Sequence, residues 1–404
     1  MYDGVMTIEP TPPPDHLSTE QAARVLGVKP ETIYAYVSRG VLPKVTVSGR
    51  RGSWFPADLV ETLRSKGPRN ALTGMAERIH TRVTLLHNDR LYYRGREAVE
   101  LADSSTFEQV CALLWQSEPA PLPPPAAVDR GGLIAGMPRR LDMVRTSIAV
   151  LAGYAEVRGD LSAAAVTTAA RQAISTAIGV LPLVGAAAEP DAPAADRLWP
   201  AVTALPARRD RIRLLEAAMI LLADHELASS TTAARVAAGT RADPYGVLTA
   251  ALGAMDSPAH GAAASRARRL LTQAVVDPAA VISEYLAGER QPPGFGQLIY
   301  TERDPRADFL LQRIAELPGT DRGLLRTARR LVEEFDGRRG WFPNSDFALA
   351  LLGEATGMVP DGGDVIFTIS RLAGWTAHAL EEYAEPPLRF RLHGLYVGER
   401  PGLG

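Results

Sequence analysis

The stretch QPPGFGQLIYTERDPRADF, residues 291–309, packs a Pro-Pro pair, two glycines and a charged Asp-Pro-Arg tripeptide into a span that is neither a clean helix nor a clean strand. Gln297 stands at its centre. A glutamine amide donates a hydrogen bond, but it cannot carry a full charge or transfer a proton near neutral pH. Other polar residues that could serve a site are His225 in ADHELASS, His260 in SPAHGAAA, Asp346 in PNSDF, Arg306 in DPR, Arg371 in FTISR and Arg391 in RLHGLYVG. Several of them also have a plain structural use. A histidine after an apolar helical run, such as His225, is more often a satisfied structural residue. Asp346, two residues after Asn344, could cap the helix FALALLGEA. Arg306 could belong to a solvated charge cluster, and Arg371 could cover apolar surface with its stem.

The chain has 404 residues, 46% hydrophobic and 22% charged, which is ordinary for a globular protein and long enough for two or three domains. A net charge of −2 gives the whole molecule no electrostatic footprint for nucleic acid, so any such surface must be local. The single cysteine, Cys111, rules out an internal disulfide framework and a cysteine-based zinc cluster; no metal is expected, and a reducing, cytoplasmic location is. No apolar run approaches the ~20 residues that cross a bilayer, and the leader MYDGVMTIEPTPPPDH lacks the basic-then-apolar order of a signal peptide.

Aromatic residues are only 6% of the chain, too few for a strand-rich fold. In DRIRLLEAAMILLADHELASS, residues Leu214, Leu215, Ala218, Leu221 and Leu222 recur at the spacing of a buried helix face. FEQVCALLW, LDMVRTSIAVLAGYA and VIFTISRLAGWTAHALEEY repeat that spacing, so the fold is expected to be mainly α. RVTLLHNDRLYYRG alternates on both sides of Asn88-Asp89 and predicts a small hairpin. The proline-rich stretches SEPAPLPPPAAVDRGG and GAAAEPDAPAADRLWP read as long loops between helices of one domain.

Residues 1–15 read as a flexible leader. In the following stretch, HLSTEQAARVLGVKPETIYAYVSRGVLP, Ser18 or Thr19 can cap a short helix, Gly27 ends it, and Pro30 lies in the first turn of a second. Helix, tight turn, helix resembles the DNA-binding domains of the MerR-like and excisionase-like families, and KVTVSGRRGSWFPADLVETLRSK resembles their wing and next helix. Residues 16–70 carry nine Lys/Arg against four Asp/Glu, a local basic surplus in an acidic chain. Thr32, Tyr34 and Arg39 on the second helix, with Arg50 and Arg51 on the wing, are the residues expected near DNA. A helix-turn-helix that mediates protein contacts instead is the alternative. SKGPRNALTG marks a domain boundary near residue 70.

Residues 71–404 carry four segments that resemble, in order, the signature segments of citrate synthases: YYRGREAVELADSSTFEQVCALLW, DHELASSTTAARVAAGTRADPYGVLTAALGAMDSPAHGAAA, PPGFGQLIYTERDPRA and FPNSDFALALLGEATGMVPDGGDVIFTISRLAGWTAHALEEY. The resemblance implies a two-lobed helical subunit of a homodimer, closing over oxaloacetate or a similar keto acid and an acyl-CoA that serves as substrate, with no permanently bound cofactor. It implies that Asp346 removes a proton from the acyl α-carbon while His260 hydrogen-bonds the thioester carbonyl, a sensible pairing because a carboxylate needs a positioned oxyanion donor to abstract so weak an acid. His225, Arg306 and Arg371 would hold the keto acid, Arg391 would complete the site of the other subunit, and Gly294, Phe295 and Gly296 would lie near the coenzyme. Two positions depart from the family's pattern. Gln297 stands where a histidine usually donates to the keto oxygen, and the continuation after His260 is GAAAS in place of a glycine-rich, asparagine-containing one. A regulator, sensing a carboxylate or acyl-CoA and binding DNA through its helix-turn-helix, is the rival expectation.

Overall fold

A computed structural model describes residues 16–38, 42–45, 53–66, 79–129, 131–155, 158–257, 263–297 and 299–390. The chain divides into two compact units between His80 and Thr81. In the first, strand His16–Ser18 pairs antiparallel with Trp54–Pro56, and helices Thr19–Leu26, Pro30–Ser38 and Ala57–Lys66 complete the unit. Ser18 is the cap: its hydroxyl accepts from the Gln21 amide N–H, while the Gln21 side chain accepts from the Ser18 amide. Gly27 ends the first helix at φ 65°, a left-handed conformation that glycine adopts without a Cβ penalty. Ala22, Ala23, Ile33, Leu42, Phe55 and Val60 form this unit's own core.

The second unit opens with the expected hairpin, strands Thr84–His87 and Arg90–Tyr93, whose turn residues Asn88 and Asp89 have φ of 50° and 53°. A short third strand, Arg96–Glu97, pairs beside it. Helices make up the rest of the regular elements described in this unit, and the predicted apolar faces are buried: Leu214, Leu215, Ala218, Leu221 and Leu222 of helix Arg209–Leu222 all lie in the core. The spine is the helix Gly362–Tyr383, buried along nearly its whole length, as expected of a helix packed on all sides. Gly374 on this spine lets it meet the end of helix Arg209–Leu222, because a Cβ there would overlap the Ala223 carbonyl oxygen and Asp224 Oδ1.

The first proline-rich stretch is irregular as read. The second gives way at Ala194 to the helix Ala194–Val202, with Pro200 inside it. Pro193 sits at the N-cap, where a missing N–H costs nothing, and burial of Leu198, Trp199 and Val202 outweighs the break at Pro200. The helices between the two stretches share the core of the rest of this unit.

Candidate active site

Asp346 lies in the first turn of helix Ser345–Ala355, whose cap is Asn344: the Asn344 side chain accepts from the Asp346 amide at 2.9 Å. The cap is therefore Asn344 and not Asp346 as the alternative reading of this sequence had it, which leaves the Asp346 carboxylate for other work. The Gly-Phe-Gly loop is bonded to this same cap. Gly296 N–H donates to the Phe342 carbonyl at 2.7 Å, Asn344 N–H donates to the Gly294 carbonyl at 2.9 Å, and the Asn344 side-chain amide donates to the Gly296 carbonyl at 2.9 Å. Gly294 has φ 86°, and a Cβ on it would stand 2.9 Å from the side chains of Ala267 and Phe347, so only glycine fits. Backbone bonding thus joins the loop that carries Gln297, which is half-buried, to the helix that carries Asp346.

Arg306 begins helix Pro305–Glu316 and is 2% exposed. Asp304, with no exposure, grips it from both sides: Nε donates to Oδ1 at 2.9 Å and Nη2 to Oδ2 at 2.7 Å. The same carboxylate accepts the amide N–H groups of Arg306 at 3.0 Å and Ser345 at 3.1 Å, which ties the two helix starts together. Burial works against the Arg306 charge, but the paired Asp304 carboxylate outweighs it and holds the guanidinium firmly protonated.

His225 follows the end of helix Arg209–Leu222 and lies 3.0 Å, through Nε2, from the Tyr300 hydroxyl. Burial, then the charges of Arg306 and Arg371, push its pKa well below the ordinary value, so the ring is neutral. Arg371, on the spine, donates through Nε to the Leu222 carbonyl at 2.9 Å and stacks 4.6 Å from the Phe367 ring centre. Beside His225, Asp224 is fully buried. Burial alone would raise its pKa, but His378, Arg371 and the Thr84 hydroxyl hold it below the usual carboxylate range. His378 in turn accepts, at Nδ1, from Arg235 Nε at 3.0 Å, and Arg235 pairs with Glu381 and Glu382. This ionic network fastens the spine to the segment that presents His225.

Asp346 faces an environment of mixed sign. Burial raises its pKa first; Arg306 opposes, Asp364 and Asp304 add to the rise, and the group settles at about 6. The structure therefore places Arg306 and Arg371 within electrostatic reach both of Asp346 and of His225, with Gln297 on the loop bonded to the Asp346 helix. A base near neutrality beside two buried cations and a neutral histidine can bind an anion and take a proton. His260, Arg391, Arg39, Arg50 and Arg51 lie outside the described residues. In the first unit, Tyr34 is 53% exposed and Thr32 half-buried on helix Pro30–Ser38.

Sequence reasoning missed Asp304, Tyr300 and the Asp224–His378–Arg235 network. Asp304 stood in view beside Arg306, and the spacing of His378, Glu381 and Glu382 places them on one helix face. Nothing local signals the other partners, which come from distant segments.

Buried arginines and a carboxyl of raised pKa thus lie together in a helical fold. The Citrate synthase, C-terminal domain family matches residues 72–391, and a helix-turn-helix domain family matches residues 17–61. The chain belongs to the citrate synthase family and carries a helix-turn-helix domain ahead of it. It is 34% identical over 200 residues to a citrate synthase of Saccharolobus solfataricus, covering 47% of this chain and 52% of that protein. It is 28% identical over 333 residues to 2-methylcitrate synthase 2 of Corynebacterium glutamicum, covering 72% and 85%. The matched stretch spans about half the length of the Saccharolobus protein. The citrate synthase structure from Thermotoga maritima superposes with a TM-score of 0.67 at 26% identity, over 81% of this chain and 95% of that one. A citrate synthase of Thermoplasma acidophilum, solved with carboxymethyl coenzyme A and oxaloacetate, shares the fold at a TM-score of 0.68 and 23% identity, over 81% and 96%.

Proposed function

We propose that the protein condenses an acyl-CoA, acetyl-CoA foremost, with oxaloacetate or a similar keto acid and releases CoA. One observation carries this reading: Arg306 and Arg371 lie within electrostatic reach both of Asp346, held at about pKa 6, and of a neutral His225. Asp346 takes a proton from the acyl α-carbon, and His260 stabilises the enolate oxygen. The enolate carbon attacks the keto carbon, whose carboxylates are held by Arg306 and Arg371; Gln297 donates a hydrogen bond to the keto oxygen as it becomes an alkoxide, and water supplies the proton that makes it a hydroxyl. Water then cleaves the thioester, leaving the free thiol. In this reading the protein is a cytoplasmic homodimer in which Arg391 completes the site of the other subunit; a stable monomer in sedimentation that still binds oxaloacetate tightly would count against that arrangement.

The test is thiol release from purified protein with oxaloacetate and acyl-CoAs of increasing chain length. Gln297→His should keep or raise the rate, because imidazole restores a donor that can bear charge. Gln297→Ala should slow it by up to about 3–4 kcal/mol in activation energy, the cost of losing one oxyanion donor. Equal, sizeable rates for wild type and Gln297→Ala would reduce the loop to a coenzyme-holding role.

The second reading is a regulator that senses a carboxylate or acyl-CoA, and it is favoured by the helix-turn-helix domain together with the neutral residue at position 297. If this domain binds DNA, affinity falls steeply with salt, and replacing Arg50 and Arg51 together weakens binding to all sequences and flattens the salt slope. Absence of binding to random duplex at low salt leaves the domain as a protein-contact module, with the enzymatic reading intact.

A further inference from the structure

We propose that Tyr300 is a positioning residue that fixes His225 as an Nδ1–H donor to the keto acid, an inference that rests on the condensation reading above. The two side chains are both buried, at 4% and 6% exposure, with the phenol oxygen 3.0 Å from Nε2 and ring centres 5.4 Å apart. A neutral imidazole has one N–H and one lone-pair nitrogen, and which is which depends on the partner each nitrogen meets.

Tyr300 decides the matter because its proton needs an acceptor. Burial raises the phenol's pKa, so it stays protonated near neutral pH. Among the described residues its hydrogen-bond partner is His225 Nε2, and a buried hydroxyl proton with no acceptor is costly. The phenol therefore donates, Nε2 accepts, and the ring's single proton resides on Nδ1. Among the described residues Nδ1 has no protein partner, which leaves that N–H for a ligand oxygen. With Arg306 and Arg371 supplying charge, His225 then adds a neutral donor of fixed direction.

Tyr300 also touches a second member of the site, since Arg306 Cζ lies 5.6 Å from its ring centre. Its backbone is held independently of its hydroxyl. Asp89, at the tip of the hairpin, accepts the amide N–H groups of Thr301 at 2.9 Å and Glu302 at 2.7 Å. Tyr300→Phe thus keeps the loop and the stack under Arg306 and removes only the donor to Nε2.

The experiment compares full-length wild type and Tyr300→Phe labelled with nitrogen-15 histidine, with His225→Gln to assign the resonance. Wild type is expected as the Nδ1–H tautomer and Tyr300→Phe as Nε2–H or a mixture. In the thiol-release assay, KM for oxaloacetate should rise about three- to tenfold, the worth of one hydrogen bond, while KM for acyl-CoA stays unchanged. Thermal stabilisation by oxaloacetate should weaken in parallel. The nitrogen-15 readout and the thermal shift do not need turnover, so loss of the condensation reading and loss of this proposal are separately visible. An Nε2–H tautomer in wild type overturns the proposal, as does Tyr300→Phe with unchanged tautomer and unchanged oxaloacetate affinity.

Discussion

Asp346→Asn is expected to lower thiol release at least a hundredfold and, in the same protein, to raise thermal stability at neutral pH. The first effect is the loss of the general base, whose contribution is about 10²–10⁴-fold. The second follows from the raised pKa. Burial lifts the carboxyl from 3.8 to about 6 against the opposing charge of Arg306. Between those values the folded state binds more protons than the unfolded chain, so this group's contribution to stability is full below about pH 4 and is lost as pH rises through about 6. At pH 7 the ionised carboxylate costs the fold up to about 3 kcal/mol, which the neutral amide does not. Wild type should therefore gain activity as pH rises through about 6 while losing part of its stability, and Asp346→Asn should show neither trend. Rate and melting temperature measured on both proteins across pH 5–8 check this; an unchanged rate in the variant would remove Asp346 from the chemistry.

Arg306→Ala is expected to be the most damaging single change to the fold at this site. Asp304 is fully buried, and its bidentate partner is only 2% exposed. Deleting the guanidinium strands a buried carboxylate, at a cost of about 3–5 kcal/mol. The amide N–H groups of Arg306 and Ser345 remain as donors, which favours the lower end of that range. The double variant Asp304→Ala/Arg306→Ala should recover part of the stability, because no unpaired charge is left, and should still fail to bind keto acid. Urea unfolding of the three proteins gives the cycle, and oxaloacetate-induced thermal shift gives the binding. Wild-type stability in the single variant would mean that Asp304 is satisfied without its arginine.

Both experiments turn on residues that differ in how visible they are in the sequence. Apolar spacing is local, so the helix at Arg209–Leu222 and the spine at Gly362–Tyr383 could be read from it, and so could the Asn88-Asp89 turn. The site residues His225, Arg306, Arg371 and Asp346 were legible only as an ordered set, because each alone has a structural use. The groups that tune them were not. Thr84 and His378 reach Asp224 across 140 and 154 residues, and Tyr300 reaches His225 across 75, and pairings over such separations depend on packing that no window of sequence contains. The helix at Ala194–Val202 shows the converse: Pro190, Pro193 and Pro200 suggested a loop, and burial decided otherwise.

The bonding between the Gly-Phe-Gly loop and the Asn344 cap bears on how this site can change. The bonds described there run through the loop's main chain, at Gly294 and Gly296, to Phe342 and to the Asn344 cap of the Asp346 helix. Loop and base therefore share one anchor. Displacing that cap would shift both at once, so the spacing between position 297 and the base is kept by the main chain.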